Sequence, residues 1–138
     1  MKNLFAVGLV LLAFTGCSIV QDVSADRFAL NNRSGRIWLS DQSAPASLNI
    51  SGNWTSSDWG RGSLRQTGRT VRGDIGGYDV QGVVSGSKVY LLFASNGWFY
   101  YSAILESPSP GVLTGRFSRA IPFVRTLART IHLDQLAN

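Results

Sequence analysis

The stretch TVRGDIGGYDVQGVV, residues 70–84, decides the fold. Val71, Gly73 and Ile75 fall on one face of an extended chain, and Arg72 and Asp74 fall on the other. After Gly76-Gly77 the alternation resumes, with Tyr78, Val80, Gly82 and Val84 set against Asp79 and Gln81. A period of two marks a strand with one buried face. Two such runs joined by Gly-Gly read as a hairpin. The tight turn that matches strand twist needs positive φ at both central residues, and glycine supplies it without steric cost.

The same texture extends both ways. KVYLLFA (88–94) and WFYYSAIL (98–105) flank Ser95-Asn96-Gly97, a second hairpin signal. Val89, Leu91 and Phe93 oppose Lys88 and Tyr90, while Leu92 breaks the polar face. Both faces of 98–105 are apolar or aromatic, so that strand is expected to be central or covered on both sides. VLTGRFS (112–118) follows the loop ESPSPG, and TLARTIHLDQL (126–136) is expected to close the sheet. Part of this last region, IPFVRTLART (121–130), reads equally as a short helix with Phe123, Leu127 and Ile131 on one side. Upstream lie GSLRQTG (62–68) and GNWTSSDWG (52–60), the candidate first strand.

The expectation is an all-β protein, an antiparallel up-and-down meander of seven or eight strands over residues 50–135. Val71-x-Gly73, Val80-x-Gly82 and Leu113-x-Gly115 form a weak repeat. A glycine inside a strand marks a bend, and three of them predict a sheet curling into a small barrel. Closure removes the exposed edges that invite aggregation. A barrel of about eight strands either fills with side chains or holds one small ligand. At this chain length a filled or nearly filled interior is favoured.

Composition agrees. The 138 residues are one domain's length and include 15 glycines. Charged residues make up 15%, against roughly 25% in an average globular protein. A hydrophobic content of 44% is enough to build a core.

The N-terminus has a different logic. Met1-Lys2-Asn3 is followed by an apolar run from Leu4 to Phe14, then Thr15-Gly16 and Cys17, the only cysteine. The run is too short to span a bilayer, which takes about 20 residues, and it has the length of a secretory leader's apolar region. The stretch resembles the lipobox of bacterial lipoproteins. That resemblance implies a leader over 1–16, lipidation of Cys17 and attachment to a membrane through acyl chains. Ser18 after the cysteine, where an aspartate would imply inner-membrane retention, implies the outer membrane of the cell envelope. The plainer alternative is an ordinary leader followed by a chance free thiol, a liability in an oxidising compartment. Loss of the leader removes Lys2 and leaves 12 basic residues, 11 of them Arg, against 8 acidic ones. Residues 17–49 are expected to be a lipidated tether, with RIWLSD (36–41) an isolated short strand within it. Residues 50–138 are expected to be the barrel domain.

Gly52-Asn53-Trp54 opens a glycine-punctuated meander that ends in an Arg-bearing strand. Over residues 50–135 this resembles the calycin group of small barrels, lipocalins and avidins. The lipocalin resemblance implies that Gly52 and Trp54 form the G-x-W opening. It also implies that an arginine of the last strand, Arg129 first and Arg125 second, packs across Trp54.

Few residues point to chemistry. His132 is the single histidine and alternates with the apolar positions of the last run, so it is expected at the surface. One histidine and a lipidated cysteine cannot assemble a metal site. No nucleophile elbow, P-loop or dinucleotide fingerprint occurs, and Asp58, Asp74, Asp79, Glu106 and Asp134 are dispersed. No enzyme and no cofactor is expected. Arg61, Arg65, Arg69 and Arg72 fall on one predicted hairpin. They are candidates for an anion-binding patch, because a guanidinium fork suits carboxylate and phosphate. The alternative is a solvated strand face. Trp38, Trp54, Trp59 and Trp98 with Phe99, Tyr100 and Tyr101 are either core or the wall of a ligand site.

Two functions of different class follow. One is a lipid-anchored envelope barrel that binds a small apolar or anionic ligand, or a protein partner. The other is a structural or interaction lipoprotein with a solid barrel and no small ligand. Barrel-shaped inhibitors of exported proteases are a further class, without a diagnostic residue here. Nucleic acid is not an expected partner for an exported protein.

Overall fold

The structure is a computed structural model that describes residues 25–137. Cys17 and the leader lie outside the described residues. The described residues divide into two units after Leu30. Residues 25–30 of the first unit are helical, and so are residues 31–40 of the second.

The second unit is built on eight antiparallel strands. They are β1 (Gly52–Ser56), β2 (Gly60–Thr67), β3 (Thr70–Ile75), β4 (Tyr78–Ser85), β5 (Lys88–Ser95), β6 (Trp98–Glu106), β7 (Val112–Ser118) and β8 (Arg129–Gln135). Each pairs with its sequence neighbours, and β1 pairs with β8 to close the barrel. This is the expected meander, and it is compatible with a calycin-like fold. Both hairpin signals are realised. Gly76 and Gly77 have φ of 59° and 85°, and Asn96 and Gly97 have φ of 52° and 83°. The run 121–130 gives a single 3-10 turn, Arg125–Leu127, before β8 begins.

The inward faces follow the alternation. Val71 and Ile75 of β3, Val84 of β4 and Val89, Leu91 and Phe93 of β5 have no accessible surface. Leu113, Ile131 and Leu133 complete the far wall and are equally buried. The interior of the barrel is filled by side chains.

The glycine repeat has a steric cause. A Cβ on Gly73 would overlap the Ser63 carbonyl on β2, and one on Gly115 would overlap the Ile104 carbonyl on β6. At Gly82 it would meet Leu91 and the Tyr90 carbonyl, each 2.5 Å away. Neighbouring strands fold over these positions so sharply that no side chain fits between them.

The outer wall holds a second, smaller core. Leu92, Ala94 and Phe99 are buried there against Trp38, Leu39 and Ile121. Leu92 broke the polar face of β5 because residues 31–40 cover it. A bulge in β6 serves the same packing: Phe93 pairs with Tyr101 and Ala94 with Phe99, which leaves Tyr100 as the extra residue. Phe99 therefore faces the outer core, while Tyr101, two residues on, faces the inside.

This corrects two expectations for residues 17–49. RIWLSD is not a strand, since residues 36–40 are helical. Nor are residues 31–49 a free tether. Asn32 donates its Nδ2–H to the Gly97 carbonyl at 2.8 Å and accepts the Phe99 N–H at Oδ1 at 3.0 Å. Gly35 lies against Leu92, Phe99 and Ile121, where an added Cβ would come within 2.9, 3.0 and 3.2 Å of their side chains. Beyond the helix, Ala46 bridges to Gly86 in parallel. Gln66 accepts the Ile50 N–H and donates to the Leu48 carbonyl, which fastens residues 48–50 across one end of the barrel.

Candidate functional site

The two ends of the barrel differ. At one end Ala46, Leu48 and Ile50 pack onto the core. Trp54 is 3% exposed there, and its indole N–H donates to the Ile50 carbonyl at 2.9 Å. The residue opposite Trp54 on β8 is Gln135. Arg129 pairs instead with Phe117, six positions back along β8, or about 20 Å at the rise of a strand. Arg125 lies in the 3-10 turn before it. The expected packing of Arg129 or Arg125 across Trp54 is therefore not what closes the barrel. Residues 46–50 and Gln135 do so. Gly52 belongs to this end, where the Gln135 side chain lies against it.

Both ends carry a cavity: one of about 480 Å³ borders Leu48, Ile50, Trp54 and Leu113 at this end, and a somewhat larger one lies at the other. Asp58, Trp59, Tyr78, Tyr101, Phe117, Arg119, Leu127 and Arg129 line that larger cavity, of about 540 Å³. Trp59 comes from the β1–β2 turn and folds into this mouth. Its ring lies 4.6 Å from Phe93 at 32°, nearly stacked on the top of the core. Phe117, Tyr101 and Tyr78 surround it edge-on at 5.0, 5.2 and 5.6 Å. Near-perpendicular packing of aromatic rings pairs a positive edge with a negative face. The turn that carries Trp59 is held by Gly76, whose N–H donates to the Arg61 carbonyl at 2.9 Å. A Cβ on Gly76 would overlap the Trp59 carbonyl.

The rim is polar. Arg119, Arg129 and Asp58 are exposed at its edge, and Leu127 is 67% exposed. Burial raises the Tyr78 phenol above its ordinary range. The charge of Tyr101, a hydrogen bond with Tyr101 and the charge of Tyr100 act in the same direction, against Arg119. The mouth thus offers a flat aromatic floor with the phenol groups of Tyr78 and Tyr101 in its wall and two arginines at its rim.

The four arginines predicted as one patch divide. Arg65 and Arg72 are directly opposite each other on β2 and β3. Arg69 and Arg72 line a cavity of about 400 Å³ on the outer wall, together with Arg36, Ser40, Gln42 and Gln81. Arg61 lines a different cavity, with Asn53, Ser63 and Asp74. Arg36 stands outside the predicted patch because RIWLSD reads as an isolated strand; only the docked helix brings it beside β3.

His132 is exposed, with Nε2 3.0 Å from the Asp134 carboxylate. Among the described residues no three His, Cys, Asp or Glu side chains come together as they would to hold a metal. Compared with protein-family models, curated proteins and solved structures, the chain matches none.

Proposed function

We propose that this protein is a lipid-anchored binding module of a bacterial cell envelope. It takes a small ligand with a flat apolar body and an anionic group at the Trp59 mouth of its barrel. The observation that carries the reading is the half-buried Trp59, seated on Phe93 within a ring of Tyr78, Tyr101 and Phe117 and flanked by Arg119 and Arg129. Sites for small ligands are concave and mostly apolar, with a few placed polar groups. Anchoring rests on the lipobox resemblance around Cys17, with the outer membrane as the site implied by Ser18. A second reading has support of its own: the interior is filled and Trp59 occupies the mouth, as suits a solid barrel whose surface meets another envelope protein.

Native mass spectrometry of the full chain, purified in mild detergent from a bacterial host, separates the two. A retained small molecule that is lost in Trp59→Ala and in Arg119→Gln supports the binding module. A bare protein mass, with a Trp59→Ala variant that keeps its envelope partners, supports the solid barrel instead. Cys17→Ser tests the anchor: it should leave the leader uncleaved or release the protein from membranes, and unchanged mass and fractionation would refute lipidation.

A further inference from the structure

We propose that the groove between helical residues 31–40 and strands β3 and β4 is a site for a phosphate group, held by Arg36, Arg69 and Arg72. This inference does not rest on the mouth, which lies at the Trp59 end of the barrel. The three arginines come from three elements: the helix, the β2–β3 turn and β3. They line one cavity of about 400 Å³. Three guanidinium forks from three directions suit a tetrahedral anion with several acceptor oxygens better than a planar carboxylate, which a single fork satisfies.

The groove carries charge that nothing in its wall neutralises. Among the described residues the ion pairs are Lys88–Glu106 and His132–Asp134. The carboxylates nearest in sequence, Asp41 and Asp74, form no ion pair with Arg36, Arg69 or Arg72. On β4 the residue opposite Arg72 is Gln81, not an acid, and on β2 it is Arg65. Like charges directly opposite on adjacent strands are destabilising; Asp74 borders the cavity that Arg65 and Arg72 share, and an anion bound on the groove side of Arg72 would add to that compensation.

The site is also partly prearranged. Arg69 donates from Nη1 to the Gln42 carbonyl at 2.7 Å, which holds its guanidinium at the end of the helix. Gln42 Nε2 in turn donates to the Trp38 carbonyl at 3.0 Å. Less side-chain freedom is then lost when an anion binds. Arg36 reaches the groove only because Asn32 and Gly35 dock the helix. The position of the helix and the composition of the site are thus one feature.

The test is calorimetric titration of the full chain in a non-ionic detergent at low salt. One probe is inorganic phosphate and the other is glycerophosphoglycerol, the water-soluble headgroup of an anionic phospholipid. Both should bind more weakly, by about tenfold or more, in Arg36→Gln/Arg72→Gln, since each removes a charge-assisted hydrogen bond. Arg61→Gln should stay within about twofold of the parent protein, because Arg61 lies outside the groove; it removes the same single charge as Arg36→Gln, which should already weaken binding. Tighter binding of the diester supports a lipid headgroup as the source, and tighter binding of inorganic phosphate supports a free anion. All of these side chains are exposed, so the barrel's circular dichroism should be unchanged; if the double variant unfolds, Arg36→Gln alone carries the comparison. No binding of either probe, equal binding in the groove variants, or equal loss in Arg61→Gln overturns the site.

Discussion

Trp54 and Gln135 face each other across the β1–β8 seam, at the end of the barrel away from Arg129. The indole is held by a backbone carbonyl and covered by a chain segment, and no arginine of the last strand takes part. The barrel therefore closes on a device of its own: residues 46–50, sewn down through Gln66.

Trp54→Ala should cost roughly 3–5 kcal/mol, as expected for a large aromatic side chain lost from a core. Arg129→Ala should leave stability nearly unchanged. A double-mutant cycle between them, followed by urea unfolding, should give coupling below about 0.5 kcal/mol. Coupling clearly above that value would restore the arginine lid.

Gly73→Ala and Gly115→Ala should each destabilise the barrel by roughly 3 kcal/mol or more, because the new methyl meets the backbone of the next strand. Gly77 has positive φ but open space around it, so Gly77→Ala should cost only about 1–2 kcal/mol of local strain. Denaturation midpoints of the three variants check the ranking, and equal midpoints would mean that strand crowding is relieved elsewhere.

The raised Tyr78 phenol makes the fold sensitive to alkali. A pKa raised in the folded state favours the neutral phenol there. The contribution is complete below about pH 10, where the unfolded chain also keeps its proton, and it is lost as pH climbs through the folded-state value. Thermal unfolding temperatures should fall above about pH 10, and the fall should be shallower in Tyr78→Phe. Identical slopes in both proteins would remove Tyr78 as the cause.

Asn32→Ala should free the helix from the β5–β6 hairpin. Two hydrogen bonds are lost, roughly 1–3 kcal/mol together. The readouts are faster amide exchange at Phe99, whose N–H loses its acceptor, and tryptic cleavage at Arg33 and Arg36. Exchange at Leu105 on the inner wall should not change. If Phe99 stays as protected as in the parent protein, the docking does not depend on Asn32.

The strands were legible because their code is local. Gly76-Gly77 and Asn96-Gly97 specify turns by backbone sterics, and the alternation in 70–84 specifies which face is buried. The helix was hidden for an equally physical reason. Its docked side is Asn32, Gly35, Trp38 and Leu39, which has helical spacing but only two apolar members, too short a stripe to mark a helix, and Asn and Gly are poor helix formers. Leu92 and Phe99 signalled that something covers the outer wall, but not what. Arg129 was misplaced because G-x-W gives a residue pattern and not a register; which strand ends meet is set by tilt and stagger around the whole barrel. Trp59 stands out in the sequence only as one of several aromatic residues, since a tryptophan in a turn carries no sign of which way it folds.

The seam where β1 meets β8 has a kinetic meaning. It spans two register positions, Trp54↔Gln135 and Thr55↔Asp134, where every other junction spans at least five. Every other junction joins sequence neighbours, so its loop-closure cost is small. The seam joins residues about eighty positions apart and collects its reward last. Until it closes, both β1 and β8 are open edges, able to pair with the complementary edge of another chain and exchange strands between molecules. Refolding at rising protein concentration should therefore yield strand-exchanged dimers, separable by size, and a purely monomeric product at all concentrations would show that the seam closes faster than chains meet.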